Sequence, residues 1–114
     1  MANTFLNAKS DLTTTNLTTV YTTPSATTAV IKSILVSEDA GSGTTIDVTL
    51  VDASGTIFSL FKAKAVGSNT TVELLTQPLI LKESEALKAQ AADANELHVV
   101  ASILEVKPRE VVTY

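Results

Sequence analysis

Short runs of β-branched and apolar residues, each closed by a cluster of glycine, serine, asparagine, aspartate or proline about eight to ten positions later, set the narrowest limit on what this chain can become. Threonine leads the pattern. It is densest from Leu12 to Thr23, and its branched Cβ suits the pleated, half-exposed surface of a strand better than a helix. That segment is expected to be extended, with a weak period-2 alternation, and Pro24-Ser25-Ala26 ends it with turn chemistry. Thr28 to Ser37 is apolar on both parities, as in a strand covered on both faces or lying at a subunit contact.

Further along, Glu38 to Gly43 reads as a turn. Thr44 to Asp52 is the cleanest amphipathic strand, with Ile46, Val48 and Leu50 on one face. Asp52-Ala53-Ser54-Gly55 then predicts a hairpin into Thr56 to Lys62. After the Gly67-Ser68-Asn69 turn, Thr70 to Thr76 and Leu79 to Leu81 form an interrupted strand, and Pro78 places it at an edge or corner because proline donates no ladder hydrogen bond. Residues 82–92 have good helix propensity, but Leu87, Ala89 and Ala91 alternate with Lys88 and Gln90 between two β-rich runs, which favours a strand. Asp93-Ala94-Asn95 turns into a long final strand, Glu96 to Val106. The turn-to-strand sequence at 41–48 is echoed at 67–74, a match read as repeated turn chemistry because it stops after one strand.

This pattern predicts an all-β, single-domain antiparallel β-sandwich, jelly-roll or Greek-key like, with extended terminal arms. The expected boundaries are an N-terminal arm at 1–11, the sandwich at 12–106 and a C-terminal arm at 107–114. A chain of 114 residues is long enough to bury a core without staples, and it has no cysteine for a disulfide framework or a thiolate metal site. A net charge of -4 with scattered lysines opposes a phosphate backbone, so nucleic acid is not an expected partner. No apolar run reaches the ~20 residues of a spanning helix, and the N-terminus lacks a secretory pattern, so no membrane association is expected.

The search for chemistry predicts a protein that is not an enzyme. His98 is the single histidine and sits within an apolar strand, where a strand-face role outweighs that of a general base. With no cysteine and no second histidine, the usual transition-metal sets are missing, and the acidic residues do not follow calcium-loop spacing. Two carboxylates acting on a glycan would need a cleft lined by aromatic side chains, and the chain has three phenylalanines, two tyrosines and no tryptophan. There is no Gly-x-Ser-x-Gly and no phosphate loop, and the sequons at Asn16 and Asn69 are chance matches in a threonine-rich chain. No catalytic residue, cofactor or metal is expected. The candidate functional residues are at the two ends: Phe5 and Leu6 in one arm, Val111, Val112 and Tyr114 in the other.

Val20-Tyr21-Thr22-Thr23-Pro24, followed by Thr27-Thr28-Ala29-Val30-Ile31-Lys32-Ser33-Ile34, resembles small virion structural proteins of tailed bacteriophages. The likeness continues through the Gly67-Ser68-Asn69 turn, Leu79-Ile80-Leu81, Leu87-Lys88-Ala89-Gln90-Ala91 and Val99 to Glu105. It implies a β-sandwich that decorates or cements the capsid by binding major capsid subunits, or one that serves as a neck or tail accessory; a host-facing adhesion module is the alternative of a different class. The partners so implied are the major capsid protein or other virion proteins, with further copies of the chain in a homo-oligomer. The implied location is the virion, assembled in the host bacterial cytoplasm.

Overall fold

The structure is a computed structural model that describes residues 2–107. Nine strands make up this span: β1 (Ala2–Leu12), β2 (Thr18–Thr22), β3 (Thr28–Glu38), β4 (Thr44–Val51), β5 (Ile57–Val66), β6 (Thr71–Glu73), β7 (Leu79–Leu81), β8 (Ala86–Ala91) and β9 (Leu97–Lys107). They form two sheets in which every pairing is antiparallel. Sheet A runs β1, β9, β3 and then β6, with β7 pairing on β3 as well; sheet B runs β2, β8, β4, β5.

β6 and β7 lie end to end along one side of β3, opposite Leu35–Ser37 and Ala29–Ile31 respectively. Counted as one broken strand, they complete a double four-stranded sandwich. The chain then crosses between sheets at every connection except the β4–β5 hairpin, which is the winding of a jelly roll.

The core follows from alternation. On sheet A, Ile31, Ile34, Val36, Leu97, Val99 and Ile103 point inward and are buried; on sheet B, Ile46, Val48, Leu87 and Ala89 meet them. The contested stretch at 86–91 is a strand, as its alternation predicted. It lies between β2 and β4, and helical winding would have turned Leu87, Ala89 and Ala91 off their common inward face.

Two side-chain contacts tie the sandwich together. Tyr21 Oη donates to Glu105 Oε2 at 2.6 Å, linking β2 of sheet B to β9 of sheet A within the interior. Burial, and then the carboxylate beside it, push the Tyr21 phenol well above its ordinary pKa, so it remains a donor. At the opposite end, Glu38 is only 2% exposed, and its carboxylate accepts backbone N–H groups from Asn69, Gly41, Ser42 and Gly43 at 2.9–3.1 Å. Those donors, Asn69 foremost, hold its pKa down to about 2 against the pull of burial. The two look-alike turns at 41–43 and 67–69 thus lead into strands of different sheets and share one acceptor.

The sequence and the structure part company in three places. The threonine-rich run is not one strand: residues 13–17 cross between the sheets. There Thr14 Oγ1 accepts from the Asn16 N–H and Thr18 Oγ1 donates to the Asn16 carbonyl, local bonds that compete with a ladder. The strand expected over 70–76 pairs only at 71–73, because Glu73 turns its carboxylate onto the N–H groups of Ile34 and Leu75, beside the β3 bulge between Ile31 and Ser33. Thirdly, the arm boundary expected at residue 11 is not where pairing starts, since β1 is hydrogen-bonded to β9 from Ala2 opposite Lys107 to Leu12 opposite Leu97.

Candidate assembly surface

The register of sheet A stacks its outward side chains in rows. Phe5 on β1, Leu104 on β9, Val30 on β3 and Ile80 on β7 stand side by side across the sheet. A row facing water is ordinarily polar on a one-sided sheet. This one is apolar throughout, with Phe5 73% and Ile80 50% exposed and Leu104 and Val30 half-buried. Further along the same face, Lys9, Val100, Leu35 and Glu73 form another row, in which Leu35 is 39% exposed.

Two open grooves lie beside the first row. One, of about 310 Å³, is lined by Phe5, Leu6, Asn7, Lys32, Ser102 and Ile103. The other, of about 420 Å³, lies beside Ile80 with Ala26, Thr27, Thr28, Lys82 and Glu83. Polar and charged side chains thus sit between the two rows, at Asn7, Ser102 and Lys32, as well as at the Lys82 and Glu83 edge.

The five residues singled out from the sequence fall in different places. Phe5 is on this outer face. Leu6, one position on, faces inward and packs against the core opposite Ile103, as the strand period requires. Val111, Val112 and Tyr114 lie outside the described residues. Ile80, Leu104, Val30 and Leu35 were not singled out, although the sequence carried a signal for two of them: Thr28 to Ser37 is apolar on both parities, and no second layer of the described residues covers its outer side.

The chemistry-bearing side chains gather at the Glu38 end. His98 Nε2 is 3.3 Å from Asp11 Oδ1 and its Nδ1 is 3.7 Å from Asp39 Oδ2, with all three side chains substantially exposed. Nearby, Thr44 Oγ1 donates to Asp93 at 2.6 Å and Ser42 Oγ to Glu96, whose carboxyl is pushed up by burial and by the charges of Asp93 and Glu38. Among the described residues, no group of three or more histidine or acidic side chains is placed to hold a metal ion. The cluster is a solvated acidic rim around a strand-face histidine.

A scan against protein-family models matches none, and a search of curated proteins finds no similar sequence. Solved structures do share the architecture. A capsid chain of the Helicobacter pylori bacteriophage KHP30 aligns over 100% of this chain and 95% of its own length, with a TM-score of 0.58 at 12% identity. The likeness is one of fold. A pentameric capsid protein from metagenomic phage sequences aligns over 91% of this chain and 66% of its own at a TM-score of 0.46 and 18% identity. A family 22 carbohydrate-binding module of Clostridium thermocellum Xyn10B aligns over 79% and 60% at 0.41 and 22%. Neither of these last two is near enough to bear on function.

Proposed function

We propose that this chain is a non-enzymatic structural protein of a phage particle, which uses the outer face of sheet A to bind other virion proteins. One observation carries the reading: the apolar row of Phe5, Leu104, Val30 and Ile80 on a face that nothing else among the described residues covers. The near end-to-end alignment with a phage capsid chain supports it, as does the resemblance of the Val20 to Ile34 stretch to small virion proteins.

The mechanism is burial. Covering what is still exposed of Phe5 and Ile80 contributes about 1–2 kcal/mol each, set against the entropy lost on association. A decoration or cement protein then stabilises the shell by mass action, since every bound copy favours the assembled over the disassembled state. Binding to major capsid subunits is the reading we adopt, and a position at the neck or tail is its competitor.

Mass spectrometry of purified particles tests this. The chain is expected at a copy number comparable to that of the capsid subunits, and the double variant Leu35→Glu, Ile80→Glu is expected to fold but drop out of the particle. A copy number limited to a neck or tail ring would overturn the decoration role. Full occupancy by the double variant would overturn the face.

A further inference from the structure

A sandwich of two open sheets has four edges, and each exposes a row of N–H and C=O groups that invites pairing with another chain unless it is blunted. Three of the four are blunted here. β2 has five residues and a bulge between Thr19 and Tyr21. β6 and β7 have three residues each, and Pro78 lies between them. β5 is long, but two register shifts break its pairing with β4, Ala63 takes a φ of 51°, and Asp47 fills the gap by accepting the Ala63 N–H at 2.6 Å.

β1 is different. Its eleven residues pair with β9 in unbroken register, with no bulge and no proline. From Asn3 to Ser10, among the described residues, its backbone has no hydrogen-bond partner beyond that ladder; the nearest local bond is from the Thr13 N–H to the Asp11 carbonyl. An antiparallel ladder on one side leaves alternate residues aiming their N–H and C=O groups away from it. The result is a straight, open edge running for most of the length of sheet A.

We infer that β1 pairs antiparallel with β1 of a second copy of this chain, joining the two A sheets into one continuous sheet across a two-fold axis at Asn7. This deepens the assembly reading above by naming one of the partners. The second copy is favoured because the strand is complementary to itself. The register that overlaps all of Ala2 to Leu12 with its mate puts residue 7 on the axis, so that Phe5 faces Lys9 of the second copy, Asn3 faces Asp11, and Asn7 faces Asn7 on the outer side, while Leu6 meets Ala8 on the inner side. No like charges oppose each other in that register. The Lys9 stem and ammonium come to lie over the ring of Phe5, which is otherwise 73% exposed. Sliding by one pair in one direction sets Asp11 against Phe5; in the other it sets Phe5 against Asn7 and shortens the overlap. The two-fold also places both copies' apolar rows on the same side of the joined sheet, doubling the face proposed to meet the particle.

The purified full-length chain tests this by sedimentation across a concentration series. The wild type is expected to form dimers. Asn7→Lys and Asn7→Asp each place like charges directly opposite one another at the axis, and each is expected to raise the dissociation constant roughly threefold to tenfold. Because Asn7 is exposed, neither should change the melting temperature of the monomer, read at concentrations below the dissociation constant. An equimolar mixture of the two variants is expected to form heterodimers tighter than either homodimer, a result peculiar to a two-fold through residue 7. A monomeric wild type, variants that dimerise like the wild type without preferring each other, or a dimer lost on deleting residues 108–114 would each overturn the inference. A monomer that still enters particles would do so while leaving the virion reading in place.

Discussion

On sheet B, the outward row opposite the middle of the sandwich is Thr19, Lys88, Thr49 and Ser59, with Asp47 and Gln90 in the next. On sheet A, the outward row is Phe5, Leu104, Val30 and Ile80. Both faces belong to the same sandwich and enclose the same core, yet on sheet B the apolar residues Ala86, Val51 and Ile57 share their row with Thr22, whereas on sheet A one row is apolar at every strand. Folding alone does not ask for such a row. An isolated jelly roll needs a single buried layer between its sheets, so the row that is apolar at all four strands, found on sheet A and not on sheet B, is why we propose that another molecule covers that side.

The largest difference is expected on β3, where neighbouring residues face opposite ways. Ile34 is fully buried and Leu35 is on the outer face. Ile34→Ala is expected to cost about 2–5 kcal/mol in urea unfolding of the free chain, and Leu35→Ala no more than about 0.5 kcal/mol. Equal costs would mean that the outer face is already covered within the chain. The next effect concerns the bond that joins the sheets. Tyr21→Phe removes the only side-chain donor found for the buried Glu105 carboxylate among the described residues, and about 1–3 kcal/mol of stability should be lost, read by the same unfolding curve.

The outer side of β4 offers a smaller test. The Thr49 hydroxyl is buried and finds no partner among the described residues, so Thr49→Val, which keeps the shape and deletes the hydroxyl, should be neutral or stabilising by up to about 1 kcal/mol. Loss of more than that would give the hydroxyl a role on sheet B that the present contrast denies it. At neutral pH the Glu38 titration has no effect at all. Its folded pKa, about 2, is below the ordinary 4.5, so its contribution to stability is complete above pH 4.5 and is lost as pH falls through the folded value. A pH series on wild type and Glu38→Gln should therefore show the wild type losing, between pH 4.5 and 2, an advantage that the variant never has. Parallel curves would contradict the hydrogen-bonding assigned to Glu38.

Much of this architecture was legible in the residues themselves. Ile46 and Val48 are buried with Leu50 packed beside them, the Asp52 turn closes its hairpin with Gly55 at a φ of 91°, and Leu87, Ala89 and Ala91 point inward from a strand, because each of these follows from local period and turn chemistry. What local pattern does not contain is the partner. Phe5 and Leu6 look alike in sequence, and which of them is spent on the core is decided by β9, about a hundred residues away. Glu38 reads as a turn residue because its four donors come from two separate loops. The apolar row on sheet A is assembled from four strands, so no single segment announces it, although Val30 and Leu35 leave a trace in the doubled apolar parity of β3.

By this proposal the outer face of sheet A is covered in the assembled state and the outer face of sheet B is not. Hydroxyl-radical footprinting of the chain, free and in the particle, reads this side chain by side chain. Phe5, Leu35 and Ile80 are expected to be oxidised in the free chain and protected in the particle, while Ile57, 58% exposed at the edge of sheet B, is oxidised equally in both. Protection of Ile57 with Phe5, Leu35 and Ile80 still reactive would contradict the account.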